Sequence, residues 1–230
     1  MLEKQKHQTI LIKIIKEIYS DTDLAKNLGF KGGTALFLFY NLPRLSLDLD
    51  FNLINPEKKD FVFQKLKTIL EKFGQLEEAT EKRFSLFFLI NYEKYQRKIK
   101  IEVSKRAIHP NYEVKNYLGI PVLVADKKGL ATEKLAAFLT RKTFASRDLF
   151  DLWFILKNDF PFDKEYLKKQ TNFDLKTALK KTKEKLKKIK SIQLLQGIGE
   201  LIEVKQKDWI KNKLKSEVEF YLNLYLQNLK

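Results

Sequence analysis

Two pairs of residues near the start of the chain have types and spacing suited to phosphate and metal chemistry. Gly32 and Gly33 stand at the mouth of a predicted short helix, where uncovered backbone N–H groups and the helix dipole favour a phosphate. Asp48 and Asp50 follow at i, i+2 spacing, which places both carboxylates on one face of a strand. Their mutual repulsion calls for a cation, and Mg²⁺ or Mn²⁺ suits oxygen ligands. Together, the pairs predict phosphoryl or nucleotidyl transfer.

Each pair also has a plainer interpretation. A lone Gly-Gly is most often a turn, and an Asp-x-Asp on an exposed strand is usually a solvated face. Their order along the chain, with a short helix between them, makes the combination more specific than either part.

The elements that must position these residues are predicted from apolar periodicity. A break over residues 28–33 precedes a helix over 34–40, with Thr34 as its N-cap. Strict alternation of apolar and polar residues predicts a strand over 45–53 that carries both aspartates on its polar face. The other predicted elements of this half are helices over 7–19 and 57–73, strands over 83–92 and 97–104 joined by a turn at 93–96, and a short strand over 121–124.

No strand is predicted from Asp126 onward. Helices are predicted there over 127–142, 147–157, 163–170, 173–190 and 208–228, with a possible short one near 193–204. The predicted fold class is therefore α+β, with a mixed sheet and flanking helices over residues 1–125 and an all-helical half over 126–230.

Composition excludes several classes of function. The chain has 230 residues and no cysteine, so thiolate zinc sites, disulfides and a cysteine nucleophile are excluded. Its two histidines, His7 and His109, rule out an HExxH metalloprotease and are interpreted as bystanders. No apolar run is long enough to cross a bilayer, and the N-terminus has too many charges for a signal peptide. We therefore expect a cytoplasmic protein without a membrane partner.

The net charge of +16 suits a polyanionic partner. Residues 164–190 concentrate this charge, because they contain eleven lysines and three acids. The segment is either a groove for an RNA backbone or a solvated helix face, and lysine enrichment of an A+T-rich genome is the alternative cause of the charge.

The pattern GGTAL…Y…R-x-S-x-D-x-D-F over residues 32–51 resembles the nucleotidyltransferases of the AbiEii toxin group. These are the catalytic partners of type IV toxin–antitoxin systems and distant members of the DNA polymerase β-like superfamily. Residues 133–141 and 147–152 are similar to the family's later signature, K-x-x-A-x-x-x-R…R-D-x-x-D-L. The match covers about residues 28–157 in family order.

The resemblance implies roles for individual residues. Gly32, Gly33 and Thr34 would hold the nucleotide phosphates, and Asp48 and Asp50 would bind Mg²⁺ or Mn²⁺. Glu102 would supply a third carboxylate, acting as base for the attacking hydroxyl. The helical half would contribute Lys134 to reach the triphosphate, and Asp148, which the family needs for activity. Apart from the resemblance, Lys134 and Arg141 lie seven residues apart on the helix predicted over 127–142, so they form a basic stripe on one face that suits a triphosphate.

The expected activity is transfer of NMP from an NTP to RNA, with the tRNA 3′ end as the leading acceptor. The enzyme would be a toxin neutralised by a cognate antitoxin protein. Two alternatives stay open: a nucleotidyltransferase that modifies a protein or a small molecule, and a catalytically silent, basic nucleic-acid-binding module.

Overall fold

The computed structural model describes residues 3–94 and 97–229, which fold into two compact units. The first unit contains the residues up to Asn41 and Leu45–Ala125. The second contains Leu42–Arg44 and the chain from Asp126 onward. The arginine of the R-x-S-x-D-x-D pattern therefore belongs to a different unit from the two aspartates.

The first unit is a seven-stranded mixed sheet with four α-helices. Its helices are α1 (Lys4–Ser20), α2 (Thr22–Asn27), α3 (Gly32–Tyr40) and α4 (Lys59–Glu71). Its strands are β1 (Leu28–Lys31), β2 (Leu49–Leu53), β3 (Gln75–Glu81), β4 (Ser85–Asn91), β5 (Ile99–Ser104), β6 (Tyr112–Tyr117) and β7 (Ile120–Ala125). The strand order is β3-β4-β5-β2-β1-β7-β6, so β2 lies at the centre.

The register of β2 positions the polar residues of the site. It runs antiparallel to β1 and parallel to β5, with Asp50 opposite Lys31 on one side and Glu102 on the other. Leu49 and Phe51 point to the opposite face and are fully buried. Alternation along β2 thus anchors one face in the core and leaves Asp50 half-buried on the other.

The second unit is helical throughout. Its α-helices are α5 (Lys127–Thr140), α6 (Ser146–Lys157), α7 (Lys164–Thr171), α8 (Leu175–Lys187), α9 (Val204–Asn212) and α10 (Leu214–Asn228). The indole N–H groups of Trp153 and Trp209 both donate to the carboxylate of Glu217, at 2.8 and 2.7 Å, which ties α6 and α9 to α10. The predicted α+β class is confirmed. No helix among residues 3–94 and 97–229 is long and apolar enough to cross a membrane.

Several predicted boundaries were wrong. The break at 28–33 contains β1, because Leu28 and Phe30 are fully buried in the sheet and tertiary packing overrides the glycines. The strand predicted over 45–53 begins only at Leu49. The helix predicted over 208–228 is broken near Lys213. The predicted turn at 93–96 lies partly outside the described residues.

Two strands, β3 and β6, were not predicted. Both form edges of the sheet, and their sequences, QLEEATE and YEVKNY, are mostly exposed or half-buried. An edge strand that faces water does not need the apolar alternation on which the prediction depends.

Candidate active site

The first glycine of the Gly-Gly pair, Gly32, lies directly against one of the two aspartates. Gly32 begins α3 with a φ of +80°, and a Cβ built at this position would collide with the Asp50 carboxylate. Glycine is therefore required both for the backbone conformation and for the close approach. The backbone at the N-terminus of α3 and a carboxylate of the sheet are therefore adjacent. Phosphate binding by Gly32 and Gly33 stays a prediction.

Thr34 connects the same helix to the other aspartate. It does not cap α3, as the sequence had suggested, because the helix already begins at Gly32. Its buried hydroxyl donates a 2.5 Å hydrogen bond to the backbone carbonyl of Asp48. Thr34 therefore fixes the chain at Asp48, and its contact with a nucleotide stays a prediction.

His7 holds the chain at Leu47, one residue before Asp48, and the sequence pattern predicts no role for it. Its ring is 1% exposed, with Nε2 at 3.0 Å from the Leu47 carbonyl and Nδ1 at 2.9 Å from the Tyr92 hydroxyl. A carbonyl only accepts, so Nε2 carries the proton, and the Nδ1 of a neutral ring accepts from Tyr92. Burial lowers the pKa of His7 and outweighs the bond to Leu47 and the charge of Asp48, which raise it.

The sequence contains a signal for this placement. His7 continues the stripe of Leu11, Ile14 and Ile18, which forms the buried face of α1. A histidine in line with such a stripe is expected in the core, where both ring nitrogens need partners.

Asp48, Asp50 and Glu102 share one cation, Lys100. The sequence pattern does not predict Lys100 as a site residue. The Lys100 Nζ atom lies 3.8 Å from Asp48 Oδ2 and 3.4 Å from Glu102 Oε2. Burial lowers the pKa of Lys100, but the charges of Asp50, Asp48 and Glu102 together outweigh it and raise the pKa. The structure thus brings the three predicted carboxylates to one side of the sheet, around an ammonium group.

These residues fit a hard divalent cation in chemistry, because all three supply carboxylate oxygens and already surround a positive charge. Within the described part of the chain, no three histidines or carboxylates converge closely enough to hold a metal ion. With Lys100 among them, the carboxylates are arranged around the ammonium. Binding of Mg²⁺ or Mn²⁺ by Asp48 and Asp50 stays a prediction.

In the second unit, Lys134 belongs to a buried ionic cluster. Asp151 is fully buried and accepts two 2.6 Å hydrogen bonds from the Nε and Nη2 atoms of Arg44. It also forms an ion pair with Lys134, whose Nζ atom lies 2.8 Å from Asp151 Oδ2. Burial raises the pKa of Asp151, but Arg44 and Lys134 outweigh it and hold the pKa at about 2. The sequence pattern predicts Lys134 as a site residue but neither Arg44 nor Asp151.

Arg141 and Asp148 form a second ion pair in this unit, with Arg141 Nε 2.9 Å from Asp148 Oδ2. Arg141 follows the end of α5 with extended backbone, so the predicted helical stripe of Lys134 and Arg141 is wrong. Asp148 is buried, and within the described residues its Oδ2 has this ion pair but no hydrogen bond of good geometry. The catalytic roles of Lys134, Arg141 and Asp148 stay predictions.

The sequence profile of one protein family matches this chain over residues 13–217. That family is described as "Nucleotidyl transferase AbiEii toxin, Type IV TA system". The chain belongs to the AbiEii family. It is accordingly a nucleotidyltransferase of a toxin–antitoxin family, and membership in this family implies an antitoxin partner.

Two solved structures are similar to this chain in fold. The crystal structure of JHP933 from Helicobacter pylori is similar with a TM-score of 0.64 and 20% sequence identity, covering 100% of this chain and 95% of the other. A proposed nucleotidyltransferase from H. pylori has the same TM-score and identity, covering 99% of this chain and 98% of the other. No curated protein sequence matches the chain.

Proposed function

We propose that this AbiEii protein transfers NMP from an NTP to RNA, with the tRNA 3′ end as the leading acceptor, and that it requires Mg²⁺ or Mn²⁺. The observation that carries the proposal is the position of Asp50 against the Gly32 backbone. The charges of Asp48, Asp50 and Glu102 all act on the ammonium of Lys100, so the three carboxylates are grouped beside this helix start. A phosphate-binding helix start beside three carboxylates suits a nucleotide and its metal.

In the proposed reaction, the acceptor hydroxyl oxygen forms a bond to the α-phosphorus of the NTP. The bond from that phosphorus to the oxygen bridging the α- and β-phosphates breaks, and pyrophosphate leaves. Glu102 accepts the proton of the attacking hydroxyl, since it is half-buried on the carboxylate face of β5. Gly32 and Gly33 orient the phosphates through backbone N–H groups. A bound divalent ion would neutralise the charge of the triphosphate.

The basic surface of α7 and α8 supports RNA as the acceptor. Nine of the eleven lysines of residues 164–190 are exposed: Lys164, Lys168, Lys169, Lys176, Lys180, Lys181, Lys187, Lys188 and Lys190. Exposed lysines bind a phosphate backbone without selecting a sequence. A protein or small-molecule acceptor would not need this surface.

The test is incubation of the protein with Mg²⁺, each α-labelled NTP in turn, and total RNA. Asp48→Asn is compared with Asp60→Asn, a matched change at an exposed position of α4. We expect labelled RNA from the wild type and Asp60→Asn but not from Asp48→Asn, and loss of labelling in EDTA. Label on protein instead of RNA would overturn the assignment of RNA as the acceptor. Labelling that survives both Asp48→Asn and EDTA would overturn the metal assignment. No labelling of any acceptor, with salt-sensitive RNA binding retained, would indicate a silent binding module.

A further inference from the structure

Lys100 occupies a position that the proposed metal would compete for. Its ammonium lies on the same face of the sheet as the three carboxylates. Lys100 and Glu102 are two residues apart on β5 and so share one face, and Glu102 is opposite Asp50 on β2. The distances of 3.8 Å to Asp48 and 3.4 Å to Glu102 are those of ion pairs. The side chain is 30% exposed, so the charge is partly withdrawn from water.

A divalent cation and this ammonium cannot both keep these positions. Mg²⁺ binds carboxylate oxygens at about 2.1 Å. An ammonium on the same oxygens would then face a double positive charge at short distance, in surroundings that water reaches only in part. Lysine has a flexible four-carbon stem and can move its charge away without a change in the backbone.

We propose that Lys100 is an internal competitor of the metal, which lowers the affinity of the nucleotide-free site for divalent cations. This inference rests on the proposed metal at Asp48 and Asp50. When an NTP binds, its phosphates offer the ammonium a new anionic partner, so the carboxylates become available to the metal. Lys100 therefore couples metal binding to the arrival of the nucleotide.

The experiment measures Mn²⁺ uptake by the full-length protein without nucleotide, from the EPR signal of free Mn²⁺. Lys100→Met is compared with wild type, with Lys100→Arg and with Lys98→Met. The last variant removes the same charge from a residue whose ion-pair partner is Glu77, outside the carboxylate group. Lys100→Gln is a second neutral variant in case Lys100→Met does not fold, and thermal melting verifies folding.

We expect Lys100→Met to bind Mn²⁺ about tenfold more tightly than wild type or more, since an ion pair at these distances contributes on this scale. Lys98→Met and Lys100→Arg should bind as the wild type does. A residue with a merely structural role would not increase metal affinity when it is removed. Unchanged or weaker binding by Lys100→Met, or an equal gain in Lys98→Met, would overturn the inference.

A parallel titration with NTP separates this inference from the proposed function. If wild type binds Mn²⁺ in the presence of NTP and Asp48→Asn does not, the metal site stands. Lack of a gain in Lys100→Met then overturns only the competitor role. If no variant binds Mn²⁺ under either condition, the metal dependence in the proposed function fails together with the inference.

Discussion

The Thr34 hydroxyl donates a hydrogen bond to the backbone carbonyl of Asp48, so the helix that begins with Gly-Gly also holds the predicted metal-binding aspartate. This carbonyl precedes β2 by one residue, where the regular pairing of the strand has not begun. A side chain from α3 therefore donates the hydrogen bond that a neighbouring strand would otherwise donate to this carbonyl. This hydrogen bond connects the Gly-Gly part of the sequence pattern to its Asp-x-Asp part.

Replacing Thr34 by valine should slow catalysis while the protein remains folded. Valine keeps the shape but cannot donate, and loss of one hydrogen bond costs about 0.5–1.5 kcal/mol. We expect Thr34→Val to reduce the rate of RNA labelling about tenfold, since about 1.4 kcal/mol corresponds to a factor of ten. Thr34→Ser should retain the rate. Thr68→Val is the control, because Thr68 makes a comparable bond on the exposed face of α4. Equal rates in Thr34→Val and wild type would contradict the role.

His7 should make the free energy of unfolding depend on pH. Its pKa is lowered in the folded protein, from an ordinary value of 6.5. The unfolded chain therefore binds more protons below about pH 6.5, so this contribution is complete above that pH and is lost as the pH falls through the folded pKa. We expect urea denaturation to show wild type losing more stability than His7→Gln between pH 7 and pH 5. His109→Gln controls for loss of an imidazole. Parallel curves for wild type and His7→Gln would refute the assignment.

Asp151 should be essential for stability of the second unit. Removing one partner of a buried ion pair leaves the other charges without compensation, which costs about 3–5 kcal/mol. We expect Asp151→Asn to lower the free energy of unfolding by this amount in urea at neutral pH. Asp208→Asn, an exposed position of α9, should change it little. A mild effect of Asp151→Asn would show that Arg44 and Lys134 find other partners.

The pKa of Asp151 also predicts how acid affects this cluster. Since the pKa is lowered from 3.8 to about 2, the cluster stabilises the fold fully above pH 3.8 and loses that contribution as the pH falls toward 2. Wild type should therefore lose its stability advantage over Asp151→Asn in this range.

The sequence predicted the residues whose pattern is local. Gly32 and Asp50 could be selected because their spacing and strand alternation can be read from one segment at a time, and Glu102 because its outward position on a predicted strand matches the third carboxylate that the family resemblance implies. Lys100 and Asp151 could not be selected in that way. Lys100 shares β5 with Glu102, but the charges of Asp48 and Asp50 reach it only because β2 pairs with β5. The partners of Asp151 come from the segment around Arg44 and from α5. Edge strands such as β3 were missed for a related reason, since their solvent-facing sequences lack the alternation of a half-buried strand.

The lysines of α8 provide a test of RNA as the acceptor. Lys176, Lys180 and Lys187 are exposed and recur at i, i+4 and i+11, so they share one face of the helix. Lys185 is different, because its ammonium binds the carbonyls of Phe138, Leu139 and Arg141 at the end of α5. We therefore leave Lys185 intact, and replace the three exposed lysines by glutamine.

This triple variant should bind RNA more weakly and with a smaller salt dependence. Each phosphate contact to single-stranded RNA contributes about 0.7 to the slope of log affinity against log salt, so three lost contacts reduce the slope by about 2. Fluorescence anisotropy with labelled RNA at several salt concentrations measures both effects. The control replaces Lys26, Lys58 and Lys67 of the first unit, which are also exposed, and removes the same net charge. An equal loss in both triple variants would assign the effect to net charge, whereas no loss in the α8 variant would make its lysines a solvated face.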